Sequence, residues 1–129
     1  MTFPNNYMLM SIRINNQTFP AEYMTTPEET LQGMMGRNSL NGCMVFKMGR
    51  GLHSFHMKNC LIPLDIVFVM SNRISRIHTN CQPDCDEKFS GIADHVIEFP
   101  AGTSNNFKVG DRVMYLGTPQ NPVSQNLPV

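Results

Sequence analysis

The 129-residue chain has no tryptophan, no net charge and no long apolar run, and two of these absences remove classes of protein. Ten basic residues cancel ten acidic ones and no basic cluster stands out. That balance argues against a nucleic-acid backbone, and against an anionic membrane surface, as the main partner. The longest apolar stretches, residues 60–69 among them, are too short and too interrupted to span a bilayer. The opening M-T-F-P-N-N-Y-M-L-M-S-I-R-I lacks a basic segment followed by a long apolar one, so a secretory leader is not expected and a cytoplasmic location is. No G-x-S-x-G, H-E-x-x-H, phosphate-loop or dinucleotide fingerprint is present, so those enzyme classes are not indicated.

What is there suits one globular domain. The apolar fraction of 41% is ordinary, and a chain of this length can bury a core without staples. Eleven methionines are many, and core filling is their expected use. A copper site would need methionines clustered with His or Cys, and Met57 between His56 and Lys58 does not make one. The four cysteines, Cys43, Cys60, Cys81 and Cys85, read as free thiols in a chain without an export signal. Cys81 and Cys85 form C-x3-C, which could close a small disulfide or give two metal ligands with His78 and His95 nearest. The paired C-x-x-C signature of zinc sites is missing, and neither a metal nor a cofactor is expected.

Short β-type segments dominate. Residues 7–14 and 17–23 predict a hairpin around Asn15-Asn16, with Pro20 suggesting an edge or the strand's end. Thr26-Pro27-Glu28-Glu29 is a helix start with a capping box, and Leu31, Met34 and Met35 give an apolar face, so the pattern predicts a helix over 27–35 stopped by Gly36. Strands follow at 42–48 and 52–57 around a Gly49-Arg50-Gly51 turn. Residues 65–70 predict a buried strand at the sheet centre, and 73–79 its partner across Ser71-Asn72. Residues 80–91 read as a polar loop, 95–99 as a strand, 101–106 as a loop with a helical turn, and 112–116 as the last strand. The expected whole is a mostly β, small barrel-like domain with one short helix, spanning residues 1–116, and a flexible tail at 117–129.

The densest chemistry lies in H-S-F-H-M-K-N-C-L-I-P-L-D-I-V-F-V, residues 53–69, where polar and charged side chains sit between apolar runs. With M-G-R at 35–37, F-P-A-G-T at 99–103 and K-V-G-D-R-V at 108–113, in this order, the chain resembles a bacterial, archaeal and phage family, domain of unknown function 192, from about residue 22 to residue 113. The resemblance implies a compact, mostly β, barrel-like domain with a helix in its first half, and no established enzyme activity. Relatives often carry Trp where this chain has His56, so a Trp-lined groove is not implied.

Two readings of the block stay open. In one, Arg37, His56, Lys58, Asn59 and Asp65 share a cleft, Lys58 meets Asp65 across the 59–63 bend, and the cations suit a carboxylate or phosphate. In the other, the same residues hold the bend, with Asn59 in a left-handed turn and Lys58 the countercharge of Asp65. The functional expectation is a non-enzymatic binding module for a small anionic molecule or a peptide segment. The alternatives are a hydrolase or transferase using His56, Asp65 and Cys60, and a structural or assembly protein.

Overall fold

The computed structural model describes residues 8–120. Strand β1 (Met8–Ile14) turns at Asn15, whose φ of 56° is the left-handed conformation that Asn tolerates, and pairs with β2 (Gln17–Met24). Pro20 does not mark an edge. The chain pairs β2 with β3 (Cys43–His56) in parallel, and that register starts only at Ala21, one residue past the missing N–H.

Helix α1 (Pro27–Gln32) begins as its residues dictate. The Thr26 hydroxyl accepts from the Glu29 N–H at 3.1 Å, and the Glu29 carboxylate accepts from the Thr26 N–H at 3.2 Å. It ends at Gly33, with φ 47°, three residues before the expected stop. The predicted apolar face does not form within it: α1 buries none of its residues and Leu31 is 74% exposed.

The expected turn at 49–51 is a bulge instead. β3 runs straight through it, and its pairing with β6 (Lys88–Pro100) steps from Lys47 opposite His95 to Gly51 opposite Ala93. Three residues of β3 opposite one of β6, two extra, bend the strand without reversing it. β4 (Leu64–Met70) and β5 (Arg73–Cys81) form a hairpin whose corner residues Ser71 and Asn72 both have positive φ, 50° and 65°, as a type I′ turn requires. The polar loop expected at 80–91 is shorter, because residues 88–91 belong to β6. Gly91 hides that strand from sequence reading. A Cβ there would lie 2.6 Å from the Phe68 ring, so close strand packing demands the glycine.

A 3-10 turn (Thr103–Asn106) leads to β7 (Val113–Gln120), whose backbone continues four residues past the expected strand end. The rest of the predicted tail, 121–129, lies outside the described residues.

The seven strands form one sheet in the order β5-β4-β6-β3-β2-β1-β7, curled into a half-barrel. β4 is buried on both faces, but β6 and β3 lie nearer the middle of the order. At one end the outer strands meet. Arg73 bridges Arg112, and the Val113 N–H donates to the Asn72 carbonyl at 2.8 Å. The inside holds Ile12, Ile14, Val45, Val69, Ile97 and Phe99. The other face of the middle strands carries a second core of Met44, Phe46, Met57, Ile66, Phe68 and Val96, and the α1 segment lies over it. Among the described residues no helix is long and apolar enough to cross a membrane.

Candidate functional site

The five residues singled out from the sequence are not gathered in one cleft. Arg37 forms a two-pronged ion pair with Glu22 of β2, at 2.7 and 2.9 Å. Lys58 pairs with Asp86 and not with Asp65, so the expected pairing across the bend is absent. The hydrogen bond that Lys58 donates to the Asp86 carboxylate raises the Lys58 pKa and lowers that of Asp86. Asn59 takes a left-handed φ of 61°; its N–H donates to the Asp84 carboxylate at 3.1 Å and its carbonyl accepts from the Gly36 N–H at 2.9 Å. Lys58 and Asn59 therefore clip the 82–87 loop against the bend, and Asn59 also fixes the segment after α1. His56 is exposed, and its Nδ1 accepts from the Lys58 N–H at 3.1 Å.

Asp65 serves a different loop. It is fully buried and accepts four hydrogen bonds: from the N–H groups of Asn80, Gly102 and Ser104 at 2.9, 3.0 and 2.9 Å, and from the Ser104 hydroxyl at 2.7 Å. The carboxylate ties the end of β5 to the 3-10 turn after β6. This is the bend-holding role of the second reading, applied to another bend.

Of the five, only His56 borders the main cavity, a hollow of about 710 Å³ between the α1 segment and the sheet. The local sequence explains why space remains there. α1 is polar at its start and buries nothing, so it does not sink onto the sheet. The residues just after it are pinned: Gly33 lies against the Phe46 ring, Met34 is 2% exposed, and Met35 bridges Cys60. The segment is held at its far end while the helix stands off. The walls are mainly Met24, Met34, Met35, Met48, Phe46 and Phe55, with His56 and Lys47 exposed at the rim.

The cavity also contains a group that sequence reading missed. Glu98 lies on β6 between Met44 of β3 and Ile66 of β4, is 4% exposed, and lines the hollow. Its Oε1 has no hydrogen-bond partner among the described residues. Burial pushes its carboxyl up to about 8. The available signal was an acid inside an otherwise apolar run, V-I-E-F at 96–99. A buried carboxyl with one oxygen unpartnered, beside a cavity, marks a candidate functional site.

The nucleophilic combination finds less support in the geometry. Cys60 lines the same cavity, but it is buried, and burial pushes its thiol up to about 11, away from the reactive thiolate. Asp65 is fully engaged by its four donors and orients no histidine. Cys81 and Cys85 are both free thiols, and no metal-holding cluster of His, Cys, Asp or Glu occurs among the described residues.

Fold and site together define a curled β half-barrel with a methionine-walled cavity beside its sheet. The chain belongs to the DUF192 family, described as "Uncharacterized ACR", which matches residues 10–115. Two solved structures share the fold. A Novosphingobium aromaticivorans DSM 12444 protein of unknown function is 27% identical, with a TM-score of 0.77 over 81% of this chain and 84% of that one. A Sinorhizobium meliloti 1021 protein called a "putative transcription regulator" is 25% identical, with a TM-score of 0.80 over 84% of this chain and 95% of that one. No curated protein matches the chain.

Proposed function

We propose that this protein is a non-enzymatic binding module whose ligand occupies the cavity under α1, placing an apolar body among the methionines and one polar group at Glu98. The observation that carries the reading is the unpartnered Glu98 Oε1 beside a cavity of about 710 Å³. That volume falls in the range of small-molecule sites, which are apolar with few polar groups. Methionine walls suit such a role because their flexible thioethers adapt to a guest.

The anionic ligand expected from the sequence loses its carriers. Arg37 is paired with Glu22 and Lys58 with Asp86, and neither borders the cavity. The regulator role named for the Sinorhizobium protein gains no electrostatic support here, since basic and acidic residues balance. The cytoplasm is the proposed place of work, and fractionation of natively expressed protein tests it.

The binding test uses methyl-labelled methionine and NMR, titrating hexan-1-ol as the probe. The resonances of Met24, Met34, Met35 and Met48, which line the cavity, should move and saturate, while that of Met114, 45% exposed on β7, should not. No movement at the cavity methionines, or equal movement at Met114, would overturn the reading.

A further inference from the structure

The cavity is asymmetric in charge, and the asymmetry bears on its ligand. Resting on the binding reading above, we propose that the ligand is a primary amine on an apolar body, its ammonium group received by the Glu98 carboxylate. Glu98 is the one acid among the residues that line the cavity, and it lies on a mid-sheet strand rather than at the rim. The two lining groups able to carry positive charge, Lys47 and His56, are exposed. A carboxylate or phosphate head would therefore be held at the mouth and would leave Glu98 unsatisfied below it. The ionised form of Glu98 only accepts, so a group that stabilises that form must donate hydrogen bonds. An alcohol gives one donor and no charge. An ammonium gives several donors and the opposite charge, which a desolvated carboxylate lacks. Phe46 and Phe55, edge to face with ring centroids 5.1 Å apart, and the methionine thioethers are polarisable walls that tolerate a cation.

Glu22 of β2 and His78 of β5 lie on the same sheet face as Glu98, separated from it by Met44 and Ile66 respectively, and Arg37 on that side is engaged by the Glu22 carboxylate. Cys60 after β3 and Cys81 of β5 are held in the neutral form by burial, at about 11 and about 12. β3 contributes the rim pair Lys47 and His56, and the α1 residues that line the cavity are uncharged. At pH 7 the free site holds a protonated Glu98, since burial sets that group at about 8. Binding R–NH3+ converts the acid to carboxylate and sends its proton to solvent, so charge is conserved and about one proton leaves per ligand. Affinity for the amine then rises with pH, by about tenfold per unit below that of Glu98, until Glu98 is ionised in the free protein.

The test compares hexylamine, hexan-1-ol and hexanoate by calorimetry between pH 6 and 9, in buffers of different ionisation enthalpy, with wild type and Glu98→Gln. At pH 8 hexylamine should bind wild type about tenfold or more tightly than hexan-1-ol. At pH 6.5 it should release about one proton. Glu98→Gln should lose most of the amine's advantage while hexan-1-ol binding persists, which also shows that the variant is folded. The wild-type comparisons stand alone if that variant does not fold. Equal affinity for hexylamine and hexan-1-ol, with no proton released, would overturn the amine proposal and leave the binding reading intact. Tightest binding of hexanoate would also overturn it. Failure of all three probes would remove the binding reading itself.

Discussion

Replacing Glu98 by Gln should remove most of a pH dependence that the fold builds into its own stability. Burial sets the Glu98 carboxyl at about 8 in the folded protein, against an ordinary 4.5. As pH rises through 4.5 the unfolded chain loses this proton, while the folded chain keeps it until about 8. The folded state binds more protons throughout that window, so stability falls as pH rises across it and is level above it. Each unit of pH is worth about 1.4 kcal/mol for one such group, so the full window is on the order of 4–5 kcal/mol. Gln cannot titrate. Its buried amide lowers stability by a constant amount wherever its own hydrogen bonds are unmet. Urea unfolding of both proteins at several pH values between 5 and 9 isolates the effect, because other titrating groups cancel in the difference. The wild-type advantage should shrink steadily with pH and level off above about 8. Parallel stability curves would show that Glu98 is hydrated and ordinary, and the cavity would lose its distinguishing group.

Three further outcomes test the reading of the polar residues and the packing. Asp65→Ala leaves the N–H groups of Asn80, Gly102 and Ser104 without their acceptor. It should cost about 3–5 kcal/mol in urea unfolding, and a loss under about 1 kcal/mol would contradict the hub role. Lys58→Ala removes only an ion pair in solvent, with Asp86 96% exposed, so the urea midpoint should stay in place; a loss as large as that of Asp65→Ala would revive a buried role for Lys58. Gly91→Ala drives a methyl into the Phe68 ring and should destabilise by about 1–3 kcal/mol, with the Phe68 ring resonances shifting in the NMR spectrum. An unshifted ring would mean that the strands part there without strain.

Local signals in the sequence are legible where one residue decides the geometry. Asn15, Ser71-Asn72 and the Thr26–Glu29 box each specify their turn or cap through their own backbone or side-chain chemistry. Legibility failed where tertiary packing decides. Gly49-Arg50-Gly51 has turn composition, yet β6 pairs on both sides of it and makes it a bulge. Residues 88–91 look like loop because Gly91 has no strand preference, and only the Phe68 ring opposite it explains the choice. The helix face is not legible, because spacing cannot reveal that Leu31 stays exposed. At the site, the sequence offered the correct residue types for polar work but not their partners. Asp86 and Asp65 were both available to Lys58, and no local rule selects between them. Glu98 escaped notice because one acid within an apolar strand looks like an exposed position until both neighbouring strands are known.

Two acids on neighbouring strands show why the functional reading rests on Glu98 and not on the polar block that first attracts attention. Asp65 of β4 and Glu98 of β6 are both buried within the sheet, and their side chains belong to opposite faces, one with Val67 and Phe99, the other with Ile66 and Met44. On its face Asp65 meets a loop that supplies four donors, and its charge is fully used in holding that loop. On the other face Glu98 meets a helix segment that stands away and supplies none. An unanswered buried carboxyl costs stability at neutral pH, and under the binding proposal a group from outside the chain offsets that cost. The same hollow that withholds donors from Glu98 leaves room for that group to enter.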